Sequence, residues 1–125
     1  MNILGIDWWE KYIGLAKKDT KHNVIMPIWY IQNDGSTMFE LANIIQQYNI
    51  WKIVIGWPAK QKDIQEKIDK FIKELSFVYP DMEIIKVNED YSSVQAQAKK
   101  WDFNRKKWED DTIAAMQILE NYNNT

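Results

Sequence analysis

The chain has 125 residues, 46% of them apolar, and no cysteine, which suits one domain with a single core and excludes disulfides, thiolate nucleophiles and zinc ribbons. Sixteen basic against eighteen acidic residues leave a net charge of −2, so overall charge does not mark a polyanion-binding protein. A lone His22 provides no histidine pair, so any metal must sit on oxygen ligands. Asn2 to Asp7 reads as a buried strand, since Ile3, Leu4 and Ile6 leave little room for a solvated face. Trp8 to Lys11 is a short connection, and Tyr12 to Lys17 is a partner strand with Ile13 and Leu15 alternating. Val24 to Gln32 is a third strand, in which Pro27 predicts an edge position or a bulge. Short turns between these strands imply an antiparallel meander.

Asn33-Asp34-Gly35 breaks the pattern, and Thr37 with Glu40 forms a capping box ahead of a helix carrying Met38, Leu41, Ala42, Ile45 and Tyr48 at helical spacing. Ile53 to Gly56 is a short buried strand closed by Trp57-Pro58. Asp63 and Glu66 open a second helix with Ile64, Ile68, Phe71, Ile72, Leu75 and Val78 on one face, and Pro80 ends it. Glu83 to Asn88 is a fifth strand, after which Ser92 or Ser93 caps a short helix. Lys99 to Lys107 is a basic loop, and Asp110 or Asp111 begins the terminal helix. The order β-β-β-α-β-α-β-α-α predicts an α/β fold. Its mixed five-stranded sheet combines the antiparallel three-strand meander with two parallel strands, and carries helices on both faces. One domain is expected over residues 1–122, with a frayed tail at 123–125. No run approaches the roughly 18 apolar residues of a membrane span, and the chain opens on a strand instead of a signal-like segment. A soluble, cytoplasmic domain with no membrane partner is expected.

Sites in open sheets gather at the carboxyl ends of parallel strands, which points to Asp7, Trp57 and Asn88-Glu89. Asp7 closes the first strand, Glu89 follows the fifth, and Asp111 falls in the first turn of the last helix, sharing a face with Ala114, Ala115 and Ile118. The two alanines let that helix approach the sheet closely. Converging carboxylates repel unless a cation neutralises them, so the natural occupant is Mg²⁺ or Mn²⁺. A pair of such ions is a standard device for in-line phosphodiester hydrolysis. Each acid also has a plainer reading: Asp111 as a helix cap, Glu89 as a solvated loop residue. Asp7 is the least ordinary, because an acid closing an apolar strand needs a partner when buried.

Gly5-Ile6-Asp7-Trp8-Trp9-Glu10-Lys11 followed by Ile13-Gly14-Leu15-Ala16 resembles the opening signature of the YqgF-type proteins. These are Holliday-junction-resolvase-like proteins, also described as pre-16S ribosomal RNA processing nucleases. Ile53-Val54-Ile55-Gly56-Trp57-Pro58 resembles that family's fourth strand and Gly-x-Pro turn. Val87 to Ala96 resembles its acidic motif, and Lys106 to Ala115 its last motif, where an aspartate stands three positions before paired alanines. Four collinear matches span nearly the whole chain. The resemblance implies an RNase H-like fold and a metal-dependent nuclease. Its acidic triad falls on Asp7, Glu89 and Asp111, as catalytic residues and as ligands of Mg²⁺ or Mn²⁺. The sequence departs from the family at Asn88, where Asp is usual, and at Asp90, where Arg is usual. Exchanging an arginine for a carboxylate weakens the local field for a polyanion.

Lys99, Lys100, Arg105, Lys106 and Lys107, interleaved with Trp101, Phe103 and Trp108, are the candidate nucleic-acid-binding residues, able to follow a phosphate backbone and stack on unpaired bases. The expected partner is structured RNA, above all a ribosomal RNA precursor, with the chain as a monomer or homodimer. Branched DNA is the alternative substrate, and a junction resolvase should be a two-fold dimer. A third reading is a ribosome-assembly factor that binds nucleic acid without cutting it. An ATPase of the sugar-kinase or actin kind would need a second, duplicated domain. Tryptophan is abundant at seven and glycine scarce at four, and Trp9 and Trp108 stand where the resembled motifs carry glycine. That pattern suggests a gene in which UGA encodes glycine; UGG codons at both positions would end the idea. Bulky rings at these positions would crowd the space beside Asp7 and Asp111.

Overall fold

The computed structural model describes residues 1–88 and 107–123, with side chains at 1–88 and 112–122. Five strands, β1 (Asn2–Trp8), β2 (Tyr12–Asp19), β3 (Val24–Gln32), β4 (Ile50–Trp57) and β5 (Glu83–Asn88), form one sheet in the order β3-β2-β1-β4-β5. β1 pairs antiparallel with β2 and β2 with β3, whereas β4 and β5 run parallel to β1. This is the mixed sheet expected of an RNase H-like fold. Three helices complete it: α1 (Thr37–Gln47), α2 (Lys62–Val78) and α3 (Lys107–Asn123).

The period of two along the strands sorts side chains onto two faces. Leu4, Ile6, Ile13, Leu15, Ile53 and Ile55 point to one face and pack with Leu41 and Ile45 of α1 and Ile68, Phe71 and Leu75 of α2. Ile3, Ala16, Val54 and Val87 point to the other, beneath Ala115, Ile118 and Leu119 of α3. Helices therefore cover both faces. β3 is an edge strand as Pro27 requires, and the register against β2 shifts between Leu15 and Ala16, opposite Trp29 and Pro27.

Two helix starts differ from their sequence signals. No side-chain cap forms at Ser36, which precedes α1. The Thr37 hydroxyl donates instead to the Gln32 carbonyl at 2.9 Å and accepts from the Asp34 N–H at 2.9 Å, so the predicted capping box is not made. α3 covers Lys107 onward, earlier than the predicted start at Asp110 or Asp111. Lys107 is thus a helical residue, and Asp111 lies in the second turn, where it cannot cap. The predicted short helix after Ser92 or Ser93 falls outside the described residues.

Candidate functional site

Asp7 is the penultimate residue of β1 and just 1% exposed. Alternation puts it on the α3 face with Ile3 and Gly5, not on the aliphatic face with Leu4 and Ile6. Register then places glycines around it. Gly14 of β2 is its direct partner. Gly56 of β4 follows Ile55, whose partner is Ile6, so it stands beside Asp7 on the opposite flank. Gly5 lies one pleat earlier on the same face. Three of the four glycines in the chain thus border one buried carboxylate.

Gly5 shows why one of them is needed. A Cβ there would stand 2.6 Å from Leu119 Cγ and 2.9 Å from the Ala115 carbonyl oxygen, closer than such atoms pack, so glycine lets α3 rest on the strand. The helix runs back along the sheet. Ala115 and Leu119 lie over Gly5, while the Tyr122 hydroxyl meets Lys52 Nζ at 3.0 Å near the start of β4. The beginning of α3 therefore lies towards the carboxyl ends of the parallel strands. Position 111 precedes Ala115 by one turn, about 6 Å along the helix axis. Asp7 lies beyond Gly5 by one pleat, about 7 Å along the strand in the same direction. The fold brings these two backbone positions to one end of the sheet.

β5 ends at the same edge, since Gly56 pairs with Val87 and Trp57 with Asn88. Val87 is separated from the β1 row by one intervening strand, about 10 Å in all. Glu89, next in sequence after Asn88, lies outside the described residues. So do Lys99, Lys100, Arg105 and Lys106, together with Trp101 and Phe103, and the side chains of Lys107, Trp108 and Asp111. Among the described residues no three metal-ligating side chains converge. Of the three acids expected to converge, the described side chain is that of Asp7. A carboxylate oxygen suits a hard ion such as Mg²⁺ or Mn²⁺.

Trp9 enters this site in a way that residue spacing does not reveal. Its indole Nε1–H donates to Asp7 Oδ2 at 2.6 Å. The backbone gives no separate reason for glycine at either tryptophan singled out by motif. Among the described residues, the positive-φ positions are Asn23 and Asn49, and Trp108 is the second residue of α3, where glycine would weaken the helix. Trp9 does lie in the short connection between β1 and β2, whereas Trp108 is helical. Trp57, another candidate at a strand end, is held by packing: it lies against the aliphatic core, and Lys86 Nζ sits 3.9 Å above its ring.

The residues Lys67 and Lys70 line a shallow cleft with Trp8, Asn33, Phe71 and Glu74, about 230 Å³ in volume, next to the same sheet edge but on the aliphatic face. Lys67 is already paired with Glu10 at 2.7 Å, and this contact holds its ammonium above the ordinary lysine pKa.

Comparison with known proteins gives a consistent picture. The family described as "RuvX: Holliday junction resolvase" matches residues 1–124. A protein of Malacoplasma penetrans named "Putative pre-16S rRNA nuclease" is 35% identical over 130 residues, covering 96% of this chain and 92% of its own length. A protein of the same name from a Sulfurihydrogenibium species is 33% identical, covering 96% of this chain and 88% of its own length. Among solved structures, T. thermophilus RuvC in complex with a Holliday junction substrate aligns with a TM-score of 0.63 at 11% identity, over 99% of this chain and 95% of that one. The fowlpox virus Holliday junction resolvase aligns with a TM-score of 0.60 at 19% identity, over 98% of this chain and 96% of that one. At such low identity these two structures speak for the fold.

Proposed function

The chain belongs to the RuvX family, and from that premise we propose that it is a metal-dependent nuclease acting on structured RNA, with a ribosomal RNA precursor as substrate. The observation that carries this reading is Asp7: a carboxylate 1% exposed, at the end of a central strand, bordered by glycines and facing the helix that bears Asp111. This buried carboxylate accepts the Trp9 N–H at 2.6 Å, and its oxygen chemistry matches Mg²⁺ or Mn²⁺. Asp7, Glu89 and Asp111 would hold the ion. When bound, divalent cations at such a site acidify the attacking water and neutralise charge on the leaving oxygen.

The remaining work falls to the chain itself. Gly14 and Gly56, themselves buried, let neighbouring elements pack closely around Asp7. Lys99, Lys100, Arg105, Lys106 and Lys107 lie in sequence just before Asp111 and would neutralise and orient that backbone. Names of relatives at 33–35% identity support RNA as the substrate.

A second reading changes the substrate to four-way DNA junctions, which the family description and the resolvase-like fold favour. The test is cleavage of a pre-16S-type RNA and of a synthetic DNA junction by the purified chain in Mn²⁺, beside Asp7→Asn. Cleavage of RNA alone, abolished in Asp7→Asn, is the expected result. Cleavage of the junction by a two-fold dimer moves the assignment to resolvase. If wild type cuts neither, the enzyme reading fails in favour of a nucleic-acid-binding role. Equal cleavage by Asp7→Asn removes the mechanism.

A further inference from the structure

A short side-chain contact at the Asp7 carboxylate comes from Trp9, two residues on. Nε1 stands 2.6 Å from Oδ2, at the tight end of N–H···O distances and charge-assisted. The Trp9 backbone is pinned from both sides: its N–H donates to the Tyr12 carbonyl at 3.0 Å, and its carbonyl accepts from Asn33 Nδ2 at 2.7 Å. The neighbouring Trp8 packs against the aliphatic core, whereas Trp9 joins neither core cluster among the described residues. With its main chain fixed and its ring half-buried, Trp9 can change its contact with Asp7 by side-chain rotation alone.

We propose that Trp9 is a positioning residue that competes with the divalent cation for Asp7, holding the carboxylate closed until the ion displaces the indole. This rests on the metal-dependent reading above. An indole N–H is a donor with no acceptor capacity, so Trp9 can never serve as a ligand. Its positive hydrogen faces Oδ2 and repels a cation brought to that oxygen. Mg²⁺ and Mn²⁺ also retain several waters, which would share the surroundings of Oδ2 with the half-buried indole. Loading Asp7 through Oδ2 therefore works against this hydrogen bond. Trp9 sets the affinity of the site through Asp7 without touching the substrate.

The test uses the full chain, with Mn²⁺ affinity measured by calorimetry for wild type, Trp9→Phe, Trp9→Gly and Asp7→Asn. In parallel, Mg²⁺ is titrated into ¹⁵N-labelled wild type while the Trp9 indole resonance, assigned by its loss in Trp9→Phe, is followed. Trp9→Phe keeps an aromatic ring at the turn but lacks the N–H. It should bind Mn²⁺ on the order of tenfold more tightly than wild type, the worth of one charge-assisted hydrogen bond. Trp9→Gly should gain at least as much, and Asp7→Asn should lose binding. The Trp9 resonance should shift as Mg²⁺ saturates the site. Equal or weaker Mn²⁺ binding by Trp9→Phe overturns the competition whatever the resonance does, because the indole then supports the carboxylate or ignores the ion. If neither wild type nor Trp9→Phe binds Mn²⁺, the metal-dependent reading fails as well. Binding at equal affinity leaves that reading standing and removes the role of Trp9 alone.

Discussion

The same strands present two different surfaces. On the α1 and α2 face, β1 offers Leu4 and Ile6, opposite Ile13 and Leu15 of β2 and beside Ile53 and Ile55 of β4, all fully buried. On the α3 face, alternate residues are Ile3, Gly5 and Asp7 on β1, Gly14 and Ala16 on β2, and Val54 and Gly56 on β4. Large aliphatic side chains hold two helices at a distance and fill the gap. Small ones let a single helix descend until its Ala115 carbonyl approaches the strand at Gly5. The first surface supplies stability through apolar area removed from water. The second gives up some of that area and places a carboxylate where the helix and the strand ends meet.

Substitutions that separate these two roles should break the comparison if it is wrong. The largest effect on activity is expected for Asp7→Asn, which keeps the shape of the side chain and removes its charge. Loss of an outer-shell partner of a metal site costs about 10–100-fold. Loss of a proposed ligand should lower Mn²⁺-dependent cleavage by at least about 100-fold, with a melting temperature close to wild type.

Adjacent residues of β1 provide the next contrast. Leu4→Ala opens a cavity on the aliphatic face and should cost about 2–5 kcal/mol in urea unfolding, while the fraction that remains folded binds Mn²⁺ as wild type does. Gly5→Ala adds one methyl on the other face, where α3 must move to admit it. A cost of about 1–3 kcal/mol is expected, and here Mn²⁺ affinity should fall too, because the shift carries position 111 with it. A variant pair with equal effects on stability and metal binding would mean that the faces are not specialised.

Much of this architecture is legible in the sequence because it depends on local periodicity. Glu83–Asn88 and Val24–Gln32 are strands over the residues their apolar pattern marks, and Pro27 sits on the edge strand for want of an N–H to donate. Pattern falls short where a distant partner decides the outcome. β4 begins at Ile50, ahead of the apolar run at Ile53, because Ile50 and Lys52 pair with Asn2 and Ile3 of β1. Thr37 looks like a cap, but the Gln32 carbonyl and the Asp34 N–H claim its hydroxyl. Of the candidate site, Asp7 stands out at once as an acid ending an apolar strand. The glycine border is invisible in one dimension, since Gly14 and Gly56 meet Asp7 through strand register alone. Scarcity is the available clue: where glycines are so few, three at strand positions suggest a face that another element approaches closely. The Trp9 contact depends on a side-chain rotation that spacing does not encode.

Two smaller effects sharpen the picture at the ends of the molecule. Tyr122 anchors the far end of α3 by accepting from Lys52 at 3.0 Å, and the Lys52 side chain is 14% exposed, with Glu83 3.5 Å away. Tyr122, more than Glu83, raises the pKa of Lys52 above its ordinary value. Tyr122→Phe should cost about 1 kcal/mol at neutral pH. Because the folded pKa is the higher one, that tether is intact below the ordinary lysine range and fades as pH rises through the folded value. The gap between wild type and Tyr122→Phe in denaturant unfolding should therefore be flat through neutrality and close in strong alkali.

The smallest effect lies in the exposed turn before α1. Asp34 Oδ1 accepts from the Ser36 hydroxyl at 2.7 Å and from the Ser36 N–H at 2.9 Å. These two bonds, the hydroxyl first, hold its pKa below the ordinary carboxylate value. For an acid the sign is reversed. The folded pKa is the lower one, so the stabilisation is complete above the unfolded value and is lost as pH falls through the folded one. Ser36→Ala deletes the hydroxyl and keeps the N–H, so the Asp34 carboxyl resonance should titrate at higher pH than in wild type yet still below a free aspartate. A titration curve unchanged by Ser36→Ala would assign the shift to the backbone N–H alone. Mn²⁺ affinity should not change in this variant, since the turn lies outside both faces of the sheet that the larger substitutions set against each other.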